Sequence, residues 1–395
     1  MLASRPAAPA RAPTIGALER DPIRVFVVDD SSVVRSFVTR LLEAEPDIEV
    51  VGTAGDGETA VRKLKDTAVH VVILDVEMPV LDGLAALPQI LASGRTAPKV
   101  VMASTLTHRG AAISMQALVK GASDYVPKPT SMGSDGAATF GRDLLQKIRA
   151  WGSLAVRERR PAPSLTARTE VAPLFRPVTS AAPATSTPPA LRPRAAVAPL
   201  RALAPEALAI GCSTGGPQAL LKLFTALRGR PLGPIFVTQH MPPTFTAMFA
   251  EQLARASGRV CHEVVDDEPA VPGVIHLAPG DWHMVVEQRR GTVRVRRTQS
   301  APENYCRPSV DPMFRSLAAI YKDRLLALIL TGMGHDGLDG SRVVTQRGGL
   351  VLAQDEASSV VWGMPGAVSQ AGLASEQLPI EQLAERVTQL FGSVA

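Results

Sequence analysis

The chain has 395 residues, 46% of them hydrophobic, with a mean hydropathy of +0.11. That is enough for about two domains, each burying its own core. No apolar run nears the roughly 18 residues of a membrane span, and the scattered cysteines Cys212, Cys261 and Cys306 make neither a disulfide framework nor a metal-ligand spacing. Membrane insertion and secretion are thereby set aside, and a reducing, cytoplasmic setting is expected. The net charge of +5 and pI near 9.3 raise the question of a nucleic-acid partner. The excess is local, however: residues 152–205 hold eight arginines against two glutamates, a local +6, so the rest of the chain sums to −1. The globular parts are not basic, and no nucleic acid is expected.

Residues 1–21 are rich in Ala, Pro and Arg, lack the apolar stretch of a secretory signal, and read as a disordered extension. Over 22–150, apolar runs alternate with amphipathic segments, and strands are expected at 24–28, 49–54, 71–74, 100–103 and 124–126. This α/β pattern predicts a doubly wound parallel sheet. Charged and hydroxyl residues gather at the C-terminal ends of those strands, the edge where open α/β sheets bind ligands. Asp29 and Asp30 follow the first, Asp75 the third, Ser104 and Thr105 the fourth, and Lys128 the fifth. Any one acid could be a helix N-cap or a solvated loop residue. As a set, three carboxylates repel one another unless a cation intervenes, and all-oxygen ligation favours Mg²⁺. The lysine would pair with added negative charge, and the hydroxyls with a phosphoryl oxygen.

The stretches Val-Val-Asp29-Asp30-Ser, Ile-Leu-Asp75-Val-Glu77-Met-Pro79 with Asp82-Gly83, Ser104-Thr105 and Tyr125-Val-Pro-Lys128-Pro129 resemble the receiver domain of two-component response regulators. The resemblance implies a flavodoxin-like five-stranded sheet with Asp75 as phosphoacceptor. It implies Asp30, Asp75 and the Glu77 backbone carbonyl as Mg²⁺ ligands, Asp29 acting through water, and Ser104 and Lys128 as phosphoryl sensors. A sensor histidine kinase is the implied phosphodonor. Most receivers are joined to DNA-binding modules, so the second domain decides what is controlled.

Residues 151–205 hold runs of Ala, Thr, Ser and Pro without periodicity and read as an extended linker. Beyond it, 206–393 is again α/β in pattern, with no short helix-turn-helix unit. Leu208 to Ile210 stop at Gly211, Ser213 follows, and a helical pattern begins beyond Pro217: a strand, a glycine turn and a helix. Gly211-Cys212-Ser213-Thr214-Gly215 fits the spelling of a nucleophile elbow, with helix N–H groups nearby to hold an oxyanion. A phosphate-cradling glycine turn reads this segment equally well. Two later apolar runs end at His240 and, through a glycine turn, at Asp336. One crevice could then hold nucleophile, base and orienter. The order Ser–His–Asp differs from the Ser–Asp–His order of α/β-hydrolases. Blander readings exist: His335 rivals His240 as base, and His276 and His283 could be structural or rim residues. The glycine loop lacks the third glycine of a dinucleotide fingerprint and the lysine of a P-loop.

The runs Ile-Gly-Cys-Ser213-Thr-Gly-Gly, Thr-Gln-His240-Met-Pro-Pro, Leu-Ala-Pro-Gly-Asp-Trp-His283-Met, Arg307-Pro-Ser-Val-Asp311, Ile-Leu-Thr-Gly-Met333-Gly-His-Asp336-Gly and Trp362-Gly-Met-Pro365 resemble the catalytic domain of the chemotaxis protein-glutamate methylesterases, the CheB family. The resemblance implies a doubly wound, Rossmann-like domain with Ser213 as nucleophile, His240 as general base and Asp336 as its orienter. It implies the Thr214 and Met333 N–H groups as oxyanion donors and no cofactor for the esterase reaction. The implied substrates are methylated glutamates, and specific glutamines, on methyl-accepting chemoreceptors, with the unphosphorylated receiver packed over the cleft. Cys212 stands where the family pattern has Ala, His335 where it has Asn, and Tyr305-Cys306 where it has Arg-His. The competing readings are a binding adaptor that has lost catalysis and a DNA-binding regulator.

Overall fold

The computed structural model describes residues 21–93, 96–129, 134–159 and 204–392. In the first domain the elements alternate strictly: β1 (Ile23–Val28), α1 (Ser32–Glu43), β2 (Ile48–Ala54), α2 (Gly57–Leu64), β3 (Val71–Asp75), α3 (Gly83–Leu91), β4 (Lys99–Thr105), α4 (His108–Val119), β5 (Asp124–Lys128) and α5 (Ser134–Arg159). The second continues with β6 (Ala207–Cys212), α6 (Gly216–Ala226), β7 (Ile235–Gln239), α7 (Pro243–Ser257), β8 (Cys261–Glu263), β9 (Glu268–Pro269), β10 (Ile275–Leu277), β11 (His283–Arg289) and β12 (Thr292–Thr298). It ends with α8 (Val310–Tyr321), β13 (Leu325–Ile329), α9 (Leu338–Gln346), β14 (Leu350–Gln354), α10 (Met364–Gln370), β15 (Glu376–Leu378) and α11 (Ile380–Gly392).

Two parallel sheets result, in the orders β2-β1-β3-β4-β5 and β15-β14-β13-β6-β7-β10-β8. Helices cover both faces, so central strands such as β3, β6, β7 and β13 are buried along their whole length and are largely apolar. Four helices of the first domain start on a side-chain cap: Ser31, Asp56, Asp82 and Thr107 each accept an N–H three residues on. Helix α6 instead starts at Gly215, whose φ of +77° reverses the chain where a Cβ would lie 2.6 Å from Val360. A third, antiparallel sheet, β11-β12-β9, extends the second domain beyond the sequence expectation. Its hairpin turns on Arg290-Gly291, both left-handed, the geometry of a tight two-residue turn.

One boundary differs from expectation. Helix α5 runs through residues assigned above to the linker and ends at Arg159. Trp151 and Ala155 continue the apolar face of Leu144 and Ile148, and Trp151 Nε1 donates to the buried Asp124 at 3.1 Å. Burial overrides the composition there. The remaining linker, 160–203, and the extension at 1–20 lie outside the described residues.

The domains share one hydrophobic cluster, in which Met115 and Leu118 of α4 and Tyr125 of β5 meet Phe245 and Phe249 of α7. Tyr125 stacks on Phe245 with ring centroids 4.4 Å apart and planes within 9°. Gln218 on α6 donates to the Leu118 and Ala122 carbonyls at 2.8 and 2.5 Å, capping the end of α4 from across the boundary.

Candidate active site

In the seven-stranded sheet β6 lies between β7 and β13, so the strand order reverses beside it and a crevice opens at its carboxyl end. Ser213 follows β6, His240 follows β7, and Asp336 lies in the turn after β13, which brings all three sequence candidates to one edge. The two glycine turns are laced together. Ser213 N donates to Thr331 O at 3.0 Å, and Thr331 Oγ1 donates to Thr214 O at 2.9 Å. A Cβ on Gly332 would stand 2.9 Å from Ser213 Cβ, so only glycine lets this turn close over the serine. The Gln239 amide donates to the carbonyls of both Ser213 and His240 at 3.0 Å, fixing the two strand ends relative to each other. The Cys212 thiol, raised well above its usual pKa by burial, donates to Gln239 Oε1 at 3.1 Å. It supports this amide and takes no place in the crevice.

His240 Nε2 lies 2.7 Å from Asp336 Oδ2. Asp336 is buried, and its two oxygens also accept from Ser309 Oγ, Asn304 Nδ2 and the N–H groups of Val310, Asp311 and Gly337. Burial opposes its charge, but the His240 contact and these donors outweigh it and hold the carboxyl well below the usual range. Burial likewise opposes a charged His240, and the Asp336 carboxylate overcomes it and raises the imidazole pKa. In the neutral imidazole, an ionised Asp336 surrounded by donors fixes Nε2 as the protonated nitrogen and leaves Nδ1 as the proton acceptor. Nδ1 is 3.5 Å from Cys306 Sγ, and Ser213 Oγ has no hydrogen-bond partner among the described residues. The Thr214 and Met333 N–H groups are likewise not spent on an acceptor among the described residues.

The rival histidines sit elsewhere. His335 is exposed. His283 is buried, accepts from Ser309 N at 3.1 Å and donates to Ala301 O, holding the segment that carries Ser309 to Asp336. His276 pairs with Glu268 at 2.6 Å, and His262 reaches the same oxygen at 3.0 Å. Val271 N–H points at His276 Nε2, so Nδ1 carries the proton to Glu268. This buried pair pins the antiparallel sheet to the main one. Sequence reasoning did not single out Asn304, Ser309 or Gln239. Ser309 and Gln239 had a signal only as members of the runs Arg307-Pro-Ser-Val-Asp311 and Thr-Gln-His240, and Asn304 lies in neither.

In the five-stranded sheet the order reverses between β1 and β3, which places Asp29 and Asp30 beside Asp75. Ligand oxygens of the three lie within 4.8 Å of one another, and Lys128 Nζ is 2.7 Å from both Asp29 and Asp75. Burial above all, opposed by Lys128 and reinforced by Asp29 and Asp30, raises the Asp75 pKa to about 6. Such crowding of negative charge fits a small divalent cation such as Mg²⁺. Ser104 is buried with its hydroxyl on Thr105 O at 3.3 Å, and the exposed Glu77 lies two residues past the end of β3.

The first domain faces the Ser213 crevice. A cavity of about 230 Å³ is lined by Ser213, His240 and Cys306 on one side and by Tyr125, Asp143 and Lys147 of the first domain on the other. Among the described residues no helix is long and apolar enough to cross a membrane.

The CheB methylesterase family model matches residues 208–387, and the response regulator receiver domain model matches residues 25–134. A relative from Azospirillum brasilense named protein-glutamate methylesterase/protein-glutamine glutaminase is 49% identical over 383 residues, covering 96% of this chain and 95% of its own. One from Rhodospirillum centenum, named for the same activities of a group 2 operon, is 47% identical and covers 92% of each chain. The solved CheB methylesterase catalytic domain of Thermotoga maritima is similar at 38% identity over 48% of this chain and all of its own, with a TM-score of 0.46. Near-full-length identity at this level, with both domains in this order, places the chain in the CheB family of protein-glutamate methylesterases and protein-glutamine glutaminases.

Proposed function

We propose that Ser213, His240 and Asp336 hydrolyse glutamate methyl esters, and deamidate glutamines, on the cytoplasmic helices of methyl-accepting chemoreceptors. The observation that carries this is the His240–Asp336 pair set beside a serine on a glycine turn. Ser213 Oγ attacks the ester carbonyl and its proton passes to His240 Nδ1. The oxyanion is held by the Thr214 and Met333 N–H groups, and methanol leaves with the proton from His240. Water then cleaves the acyl-serine through the same base. With glutamine the leaving group is ammonia.

The first domain supplies control. The 230 Å³ cavity closed by Tyr125 and Lys147 is too confined for a receptor helix, itself about 10 Å across with its side chains. A sensor histidine kinase is the proposed phosphodonor for Asp75. Asp29, Asp30, Asp75 and the Glu77 carbonyl would hold Mg²⁺, which when bound offsets the charge of the incoming phosphoryl group. A phosphoryl group on Asp75 draws on Lys128 and Ser104. Lys128 ends the strand that carries Tyr125, and Tyr125 stacks on Phe245 of the esterase domain. Rearrangement at the end of β5 thus reaches the interface over three residues.

Asp75→Asn tests the link. The folded pKa of Asp75 is raised, so its ionisation costs stability as pH rises from the ordinary carboxylate range through about 6. The variant is expected to gain about 2 kcal/mol at pH 7.5, read by thermal melting, while methanol release from methylated receptor membranes no longer responds to a small-molecule phosphodonor. Continued stimulation of Asp75→Asn would place the phosphorylation site elsewhere.

A further inference from the structure

We propose that Cys306 is a positioning residue that holds the proton-accepting nitrogen of His240 and must yield it to Ser213 in each turnover. The inference rests on Ser213 acting as nucleophile and His240 as its base. Asp336 accepts six hydrogen bonds, one of them from His240 Nε2 at 2.7 Å. In the neutral ring that acts as base, that nitrogen therefore carries the proton, and Nδ1 has the single free lone pair. Among the described residues Cys306 Sγ is the one group within hydrogen-bond reach of it, and the Ser213 hydroxyl lines the same crevice. Cys306 Sγ lies 3.5 Å from Nδ1, within reach for sulfur, whereas Ser213 Oγ has no partner among the described residues. The hydrogen-bonded relay present is thus Cys306–His240–Asp336, with the serine beside it.

The thiol is held there on purpose-built backbone. Asn304 and Tyr305 both adopt left-handed φ values, +52° and +62°, which non-glycine residues keep only when their surroundings enforce them. The enforcing contacts are a Glu303–Cys306 bridge, two Arg315–Glu303 hydrogen bonds at 2.7 and 2.8 Å, and the Asn304 amide. That amide donates to Asp336 Oδ1 at 2.9 Å and to Asp311 Oδ2 at 2.8 Å. One turn thereby grips both ends of the acid–base pair, Asn304 on the carboxylate and Cys306 on the imidazole. A thiol is a weak donor, so it keeps the ring in place and still gives way to an incoming hydroxyl.

The test uses the full chain with a phosphodonor and methylated receptor membranes. Cys306→Ala is expected to raise kcat about threefold with KM unchanged, the scale of one weak hydrogen bond removed from the ground state. Cys306→Ser, whose hydroxyl also donates to Nδ1, is expected to restore the wild-type kcat or lower it. In ¹⁵N-histidine-labelled resting enzyme, Cys306→Ala should move the Nδ1 resonance of His240 and leave Nε2 in place. An unchanged or lower kcat in Cys306→Ala, equal gains in both variants, or an unmoved Nδ1 resonance each overturns the proposal. Activity retained by Ser213→Ala would instead overturn the triad on which it rests.

Discussion

Asp336→Asn is expected to cut methanol release from methylated receptors about 10⁴-fold, the scale seen when a triad carboxylate is replaced by its amide. The amide presents N–H donors where Asp336 accepts six hydrogen bonds, so at least one faces another donor, and His240 loses the partner that keeps its proton on Nε2. Nδ1 then no longer serves as the free base. The same change removes a buried, fully bonded charge and is expected to cost about 2–4 kcal/mol of stability. The sign with pH follows from the direction of the shift. Asp336 is held below its unfolded pKa, so its contribution is fully present above the ordinary carboxylate range and is lost as pH falls through the folded value. Wild type and variant should therefore converge in stability on acidification. Activity is read on folded protein, verified by melting, and a variant that folds and keeps more than a tenth of wild-type activity argues against Asp336 as the orienter.

Phe245→Ala is expected to raise the unphosphorylated activity about tenfold. The Phe245 ring is fully buried and half of its stack is Tyr125 of the receiver. An aromatic pair contributes about 0.5–1.5 kcal/mol beyond its area, and the cavity left at the boundary adds to that loss. The equilibrium between covered and open forms shifts accordingly, and 1.4 kcal/mol is a factor of about ten. Because Phe245 also packs within its own domain, Gln218→Ala serves as a companion. It removes only the two hydrogen bonds to Leu118 and Ala122 and should act in the same direction without a large change in melting temperature. Phospho-stimulated rates of both variants should match wild type within about twofold. Basal rates that stay low in both would place the covering contacts elsewhere.

Much of the site was legible in the sequence because parallel strands announce themselves. The runs ending at Asp29, Asp75, Ser213 and His240 are mostly apolar, and a residue just past such a run falls at the ligand-binding edge of the sheet. Asp336, reached through a glycine turn, followed the same logic. What stayed hidden depends on contacts between distant segments. Asn304 and Ser309 reach Asp336 from a loop with no periodicity, and the tyrosine–phenylalanine stack joins residues 120 positions apart. The antiparallel sheet was missed although Arg290-Gly291 leads into the alternating run Thr292-Val-Arg-Val-Arg. Composition misled at residues 151–159, where Arg157 and Arg159 looked like linker while Trp151 and Ala155 were completing a helical face.

The central claim is that a serine at the glycine turn performs acyl transfer under control of the receiver. It is tested most directly by methanol release from methylated receptor membranes, comparing phosphodonor-treated wild type with Ser213→Ala. The account predicts rapid release by wild type and a rate at least about 10⁴-fold lower for the folded variant. Release by Ser213→Ala at the wild-type rate would contradict it.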